Sequence, residues 1–146
     1  PLLKKYNVKA TAYIVAGVIG RLNYMSKDEI QKVQESGLVE IGAHSMYHRY
    51  LKGISYNEAK FEIEQSKTNL EHEFGVKVIS FAYPYGAFDK QTVKLVEDAG
   101  FKTSASTVPG VDVSSLNRYF MFRIRPGARI GIELLQYLEG NSFREY

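Results

Sequence analysis

The stretch EIGAHSMYHRYL, residues 40–51, carries two of the three histidines of this sequence, four positions apart. An overlapping run, LVEIGAH at 38–44, has the apolar pattern of a short buried strand. If a helical turn follows that strand, the side chains of His44 and His48 lie on the same face of the turn. The interpretation of the whole chain therefore starts from a strand that ends at a histidine pair.

Strand-like and helix-like segments alternate along the chain. The predicted strands are at 8–15, 38–44, 76–83, 101–107 and 119–125, and the predicted helices are at 25–37, 55–74, 89–99 and 131–140. This order favours an α/β fold of mainly parallel strands joined by right-handed crossovers. Five strands are too few for a complete eight-stranded barrel, so an open sheet and a partial barrel remain the alternatives. In both, ligands gather at the carboxyl ends of strands, where His44 and Tyr83 fall.

Three of the predicted helices begin at residues that favour a helix start. Ser26 with Glu29, and Ser55 with Glu58, have the spacing of a capping box, and Asp89 can cap the third helix. Glycines stand where the same helices should end, at Gly37, Gly75 and Gly100.

The composition limits the class of protein. With 146 residues and no linker or repeat, the chain is predicted to form one domain. The net charge is only +3 and the basic residues are scattered, so nucleic acid is not a predicted partner. No run is apolar enough to span a membrane, and the first residues lack the apolar core of a signal peptide. Because there is no cysteine, imidazole and oxygen would have to hold any metal.

The histidine pair has two interpretations. Imidazole suits zinc, cobalt, nickel or iron, and a carboxylate or a third histidine would complete such a site. A bare pair at this spacing is more often a polar surface turn. The position just beyond a strand and the small side chains of Gly42, Ala43 and Ser45 favour the metal site. The third histidine, His72, lies on a charged helix face and is interpreted as a solvated residue.

Several segments, in order along the chain, resemble the polysaccharide deacetylase family (NodB-homology domains, carbohydrate esterase family 4). EIGAHSMYHRYL resembles the second motif of that family, and FAYPYGAFD at 81–89 resembles the third. VEDAGFKTSAST at 96–107 is similar to the helix and strand that follow the third motif, and LLKKYNVKATAYIV at 2–15 to the segment after the first. The resemblance implies an α/β fold for residues 1–146, namely a deformed, partial (β/α) barrel of mainly parallel strands that lacks its first strand.

The resemblance also implies roles for individual residues. His44 and His48 are two ligands of a divalent metal, most simply Zn²⁺, with Co²⁺ or Ni²⁺ as alternatives. Ser45 supports the histidine loop through a hydrogen bond. The backbone N–H of Tyr85, in the PYG turn at 84–86, donates to the oxyanion of the tetrahedral intermediate.

Substrate contacts are expected from residues of the third motif and of a later arginine-rich segment, namely Tyr83, Pro84, Gly86, Arg123 and Arg125. Pro84 and Gly86 are also explained as turn formers, and at least one of the two arginines as a structural or solvated residue. Tyr83 and Tyr85, with Tyr47, Tyr50 and Phe88, could line a groove for sugar rings, with packing in the core as the alternative for each.

The sequence departs from the family pattern at three points. The first motif, a strand ending in two adjacent aspartates that supply the general base and the third metal ligand, is absent. Ala82 stands where the third motif normally carries an arginine, and this lack of arginine resembles the poly-N-acetylglucosamine branch of the family. No histidine follows His72 to serve as general acid. We therefore expect a chain that is truncated at its N-terminus, inactive or nearly so in this form, with an unpaired edge on the strand at 8–15.

The function implied is metal-dependent removal of N-acetyl groups from cell-surface amino-sugar polymers, such as poly-N-acetylglucosamine, chitin-like chains or peptidoglycan. The partner is then an N-acetylated polysaccharide, and the location is extracellular or associated with the cell wall. Two alternatives stay open: a carbohydrate-binding domain of the same fold that has lost its chemistry, and a metal-dependent amidase or esterase with another substrate. The oligomeric state is not predicted.

Overall fold

The computed structural model describes residues 1–110, 114 and 116–142. Four strands are present: β1 (Ala10–Ile14), β2 (Val39–Ala43), β3 (Ser80–Ala82) and β4 (Thr103–Ala105). The α-helices are α1 (Leu2–Tyr6), α2 (Lys27–Glu35), α3 (Tyr56–Phe74), α4 (Lys90–Asp98) and α5 (Gly131–Ser142), with short 3₁₀ turns at Ala16–Val18 and Pro84–Gly86. None of the described helices combines the length and the hydrophobicity that crossing a bilayer requires.

The four strands form one parallel sheet in the order β1-β2-β3-β4. The α/β class with parallel strands is therefore confirmed, and β1 lies at the edge where an unpaired strand was expected. The fifth strand predicted at 119–125 is wrong, because among the described residues this segment forms one isolated parallel bridge with the sheet, between Ala105 and Met121, and not a continuous ladder. The parallel arrangement brings the carboxyl ends of all four strands to one edge of the sheet.

One face of the sheet is buried beneath the helices. Ile41 and Ala43 of β2 and Phe81 of β3 are almost fully buried and pack against the apolar side of α3. The alternate residues of the same strands, such as Gly42 and Ser80, point to the opposite face. The core therefore determines which face of the sheet each side chain of a strand points to. It also determines the direction in which the residues after each strand leave the sheet.

Side-chain caps start the three predicted helices. Ser26 and Glu29 form a reciprocal capping box at α2, with the Ser26 N–H 2.8 Å from Glu29 Oε2. Asp89 Oδ1 accepts the Thr92 N–H at 2.9 Å at the start of α4. The Ser55 hydroxyl accepts the Glu58 N–H at the start of α3. These helix starts were predicted from local spacing and are confirmed.

Candidate functional site

The candidate site lies at the carboxyl ends of β2 and β3. His44 follows the last residue of β2 directly, and Tyr83 follows the last residue of β3. The helical turn considered for residues 44–48 is not formed, since Ser45 and His48 have left-handed φ angles of 62° and 59°. An irregular loop brings the two histidines together instead.

A main-chain carbonyl on the neighbouring strand orients the His44 ring. The distance between His44 Nδ1 and the Ala82 oxygen is 2.7 Å. Because a carbonyl oxygen can only accept a hydrogen bond, Nδ1 carries the proton and Nε2 keeps its lone pair. This is the tautomer in which an imidazole can bind a metal through Nε2.

The surroundings of His44 keep its imidazole neutral. Burial lowers the pKa of His44 below its ordinary value, and the hydrogen bond to Ala82 opposes this only in part. Electrostatic interactions with His48 and with Arg123 lower the pKa of His44 further. The ring is therefore in its ligand form at neutral pH.

The His48 ring lies between His44 and Tyr85. Its centroid is 4.8 Å from that of His44 and 4.7 Å from that of Tyr85, with edge-to-face geometry in both cases. The buried Ser45 hydroxyl accepts the His48 N–H at 2.9 Å, which fixes the backbone of His48 after the left-handed turn. Three of the residues that the sequence analysis singled out thus meet in one cluster.

The PYG turn places Tyr85 beside this cluster. Tyr85 has a φ of 58° and Gly86 a φ of 70°, and the Gly86 N–H closes the turn on the Tyr83 oxygen at 2.9 Å. The Thr107 hydroxyl donates to the Tyr85 oxygen at 3.3 Å. Among the residues that the structure describes, no acceptor pairs with the Tyr85 N–H. This N–H is therefore free to donate to a ligand.

Tyr83 does not face a ligand. Its side chain is 0% exposed, its hydroxyl donates to the Tyr119 oxygen at 2.8 Å, and its ring packs against Phe81 and Phe88. The reason is the alternation of β3, which turns residues 81 and 83 toward the same buried face. The prediction that Tyr83 contacts substrate is therefore wrong. Pro84 is also buried, in the position of a turn former.

The two arginines predicted to contact substrate have different surroundings. Arg123 Nε donates to the Ser106 oxygen at 2.6 Å, and its charge is close enough to His44 to lower the pKa of that ring. Arg125 is exposed, and no hydrogen bond or ion pair joins it to the site within the described part of the chain. Only Arg123 thus belongs to the cluster.

The other aromatic residues of the predicted groove divide between the surface and the core. Tyr50 lies beside Tyr85, with ring centroids 6.3 Å apart. Tyr47 stacks on Phe61, and Phe88 stacks on Phe120. A cavity of about 620 Å³ opens beside His48, and its lining residues are His48, Arg49, Tyr50, Ile54 and Tyr85.

The polysaccharide deacetylase family model matches residues 1–104. The chain belongs to the polysaccharide deacetylase family. It is 28% identical over 137 residues to the poly-β-1,6-N-acetyl-D-glucosamine N-deacetylase of Staphylococcus aureus, covering 85% of this chain and 47% of that protein. It is 26% identical over 125 residues to Bacillus subtilis YxkH, covering 86% of this chain and 44% of that protein. The chain thus spans about half the length of these relatives.

A solved structure of similar fold is the Streptococcus pyogenes deacetylase PplD in complex with acetate. The TM-score is 0.81 at 24% sequence identity, over 86% of this chain and 56% of PplD. At this level of identity the likeness shows the fold. The parallel sheet of four strands described above is therefore the sheet of a polysaccharide deacetylase domain.

In this member of the family, the donor atoms of the site fit a divalent metal only in part. His44 and His48 offer two imidazoles of the kind that zinc, cobalt and nickel accept. Within residues 1–110, 114 and 116–142, no group of three or more histidine, aspartate or glutamate side chains is placed to hold an ion. The described residues therefore offer two candidate donors, whereas a catalytic zinc site takes three protein ligands.

Two groups at this candidate site were missed in the sequence. The first is the Ala82 carbonyl, for which a sequence pattern gives no signal. The second is Glu62, which is 2% exposed on α3 and accepts the Tyr47 N–H at 2.8 Å, between the two histidines. Glu62 follows Ala59 by three positions and precedes Ile63, so its place on the buried stripe of α3 was a usable signal.

Proposed function

We propose that the protein removes N-acetyl groups from cell-surface amino-sugar polymers, with His44 and His48 as two ligands of a divalent metal, first of all Zn²⁺. The observation that carries the proposal is the meeting of three groups at one edge of the sheet. These are the His44 imidazole, the ring of His48 and the ring of Tyr85. The named activity of the S. aureus relative supports an N-acetylglucosamine polymer as the substrate, and hence an extracellular or cell-wall location.

Each residue of the cluster has a part in amide hydrolysis. A metal at the two imidazoles would polarise the acetyl carbonyl and lower the pKa of a bound water toward about 7. The neutral His44 ring, held by Ala82, keeps its lone pair directed away from the protein main chain. The Tyr85 N–H donates to the developing oxyanion, and a single donor of this kind is typically worth about 3 kcal/mol in the transition state. The positive charge of Arg123 favours the same negative charge.

A second candidate is a carbohydrate-binding domain of the same fold with little or no hydrolysis. It is favoured by the set of only two metal ligands in the described residues, and by Ala82 in place of the motif arginine. The third candidate, a metal-dependent amidase or esterase, would use the same cluster on an acyl group that is not carried by a sugar.

Zinc binding tests the metal site directly. Because the described residues offer only two donors, we expect isothermal titration calorimetry to find about one weak zinc site in the wild-type protein. This site should be lost in both His44→Ala and His48→Ala. The matched control is His72→Ala, which removes an exposed histidine on α3. Equal loss of zinc in all three variants, or no zinc binding by the wild-type protein, would refute the site.

Acetate release separates the candidate functions. The substrates are poly-β-1,6-N-acetylglucosamine fragments, chitooligosaccharides, peptidoglycan and simple acetyl esters, each with zinc or cobalt added. Release from a sugar polymer, absent in His44→Ala, supports the deacetylase. Binding of the sugars without release supports the second candidate, and release from the esters alone supports the third.

A further inference from the structure

The Asp89 carboxylate joins two loops of the candidate site. Its Oδ1 accepts the Thr92 N–H at the start of α4, and its Oδ2 accepts the Gly53 N–H at 2.9 Å. We propose that Asp89 is a positioning residue: its bond to the loop that follows His48 sets the distance of that ring from the Tyr85 ring. The use of this distance in hydrolysis rests on the proposed function, whereas the bond between the loops does not.

Capping of α4 does not explain both contacts of Asp89. A helix cap needs one acceptor oxygen, and Oδ1 already supplies it. The second oxygen bonds Gly53, which lies 36 positions earlier in the chain and belongs to another loop. A residue chosen for the cap alone could be a serine or a threonine, which have no second oxygen. The contact with Gly53 therefore indicates a second role.

The loop that follows His48 needs a directed contact to fix its place. Leu51 is fully buried and holds this loop against the core. Burial of an apolar side chain is not directional, so it does not by itself orient the main chain beyond residue 51. Gly53 has a φ of 77° and donates its N–H to the carboxylate. The Ile54 oxygen accepts the Gln91 side chain at 3.4 Å, which is a second, weaker bond between the same loop and the first turn of α4.

The main chain that carries Asp89 is fixed on both sides of the carboxylate. Directly after Tyr85, the Ala87 N–H donates to the Pro84 oxygen at 3.0 Å. The Asp89 N–H donates to the Thr92 hydroxyl at 2.9 Å and completes the capping box of α4. The carboxylate thus has a fixed position relative to the PYG turn. A loop that bonds this carboxylate is placed relative to the same turn.

The carboxyl group is in the form that makes these bonds strong. Burial raises the pKa of Asp89, but the main-chain N–H groups that bond it outweigh this effect and lower the pKa below its ordinary value. The group is therefore ionised at neutral pH. A carboxylate accepts hydrogen bonds at both oxygens, and its bonds with N–H groups are stronger than those between neutral groups.

Asp89→Ser separates the cap from the bond between the loops. Serine can still accept the Thr92 N–H, but it has no second oxygen for Gly53. In the metal-free protein, we would record nuclear Overhauser cross-peaks between the rings of His48 and Tyr85, whose centroids are 4.7 Å apart. In Asp89→Ser, we expect these cross-peaks to weaken at least about twofold. In acetate release from poly-β-1,6-N-acetylglucosamine, kcat should fall about tenfold while KM stays within about twofold.

Ser26→Ala is the matched control. It removes the side-chain cap of α2, which bonds Glu29 and neither of the two loops. The loss of a cap should make this variant less stable than the wild-type protein in urea unfolding. Its cross-peaks between the two rings, its kcat and its KM should keep the wild-type values.

The results separate the role of Asp89 from the proposed function. Cross-peaks of wild-type strength in Asp89→Ser, or equal weakening in Ser26→Ala, would overturn the positioning role. If Asp89→Ser does not fold, Asp89→Thr replaces it, since threonine also caps a helix with a single oxygen. Cross-peaks that depend on Asp89, in a wild-type protein that releases no acetate, would support the positioning role and refute the deacetylase. Acetate release with the same kcat in Asp89→Ser and in the wild-type protein would refute the positioning role alone.

Discussion

Glu62 carries a buried carboxyl group that bonds the loop between the two histidines. Its removal tests whether this contact sets the position of the loop. Its side chain is 2% exposed, and its Oε2 accepts the Tyr47 N–H at 2.8 Å. Tyr47 immediately precedes His48, whose own N–H pairs with Ser45. The segment that carries both imidazoles is therefore hydrogen-bonded to α3 through Tyr47, and it is hydrogen-bonded within itself between His48 and Ser45.

The cost of removing Glu62 follows from these contacts. In Glu62→Ala, the Tyr47 N–H loses its acceptor while the surroundings stay buried, and such an unsatisfied group costs about 1–3 kcal/mol. Glu62→Gln keeps an acceptor oxygen at the same position, so we expect a loss of about 1 kcal/mol. The matched control is Glu64→Ala on the same helix, which removes only an exposed pair with Lys60 worth up to about 0.5 kcal/mol.

Two measurements decide whether Glu62 positions the loop or only stabilises the fold. Urea unfolding gives the free energy of unfolding, and we expect the order wild type, Glu64→Ala, Glu62→Gln, Glu62→Ala from most to least stable. Zinc titration should show affinity falling in Glu62→Ala and largely restored in Glu62→Gln. The reasoning is refuted if Glu62→Ala is no less stable than Glu64→Ala. It is equally refuted if stability falls while zinc affinity stays at the wild-type value.

Three further predictions concern the PYG turn, the titration of His44 and the edge of the sheet. Gly86→Ala should lower the free energy of unfolding by about 1–3 kcal/mol more than Gly53→Ala in urea unfolding. Both glycines have a positive φ, but only at residue 86 would the new Cβ meet other atoms, including the Thr107 nitrogen at 2.6 Å; equal losses would contradict the clash. The pKa of His44 is lowered, so in NMR titration its ring should take up a proton only below about pH 6.5, the value expected in the unfolded chain. As the pH is lowered below this value, the unfolded chain binds the proton before the folded chain does. The free energy of unfolding should therefore decrease by at most about 1.4 kcal/mol per pH unit. A His44 ring that titrates at or above about pH 6.5 would contradict this prediction. Thr11→Lys places a charge on the exposed edge strand β1 and should reduce aggregation in light scattering, and unchanged scattering would show that this edge is not the aggregating surface.

The elements that local sequence determines were predicted well. The starts of α2, α3 and α4 depend on side chains three positions from the cap, and these contacts are the same whatever the rest of the chain does. The segment at 119–125 failed because a strand needs a continuous ladder. The Ser104 N–H donates to the Arg118 oxygen, and the Ser104 oxygen accepts the Met121 N–H. In a regular parallel ladder these two partners are two positions apart, so one extra residue between 118 and 121 interrupts the pairing.

The sequence predicted which residues belong to the candidate site better than it predicted how their side chains are oriented. The spacing of His44 and His48 was sufficient to pair them, but the carbonyl that orients His44 is 38 residues away along the chain. The burial of Tyr83 depends on which face of β3 the helices cover, and a three-residue strand is too short for an alternation pattern to show this. Long-range packing thus decided the features that the sequence left open.

The backbone conformations in the site indicate that the fold specifies its geometry as well as the residues that compose it. Among the described residues, positive φ angles at positions other than glycine occur at Asn7, Asn23, Ser45, His48 and Tyr85. The two asparagines and the histidine are of types that are enriched in this conformation, whereas the serine and the tyrosine are not. A left-handed conformation costs such residues about 1–2 kcal/mol each, so the surrounding contacts must impose it. Ser45, His48 and Tyr85 all lie in the cluster around the His48 ring. The buried Ser45 hydroxyl accepts the His48 N–H, and the buried Glu62 carboxylate accepts the N–H of Tyr47 just before it. Strain concentrated at the place where the two imidazoles and Tyr85 meet is expected of a preorganised site, because a polar surface turn could relax to a less costly backbone.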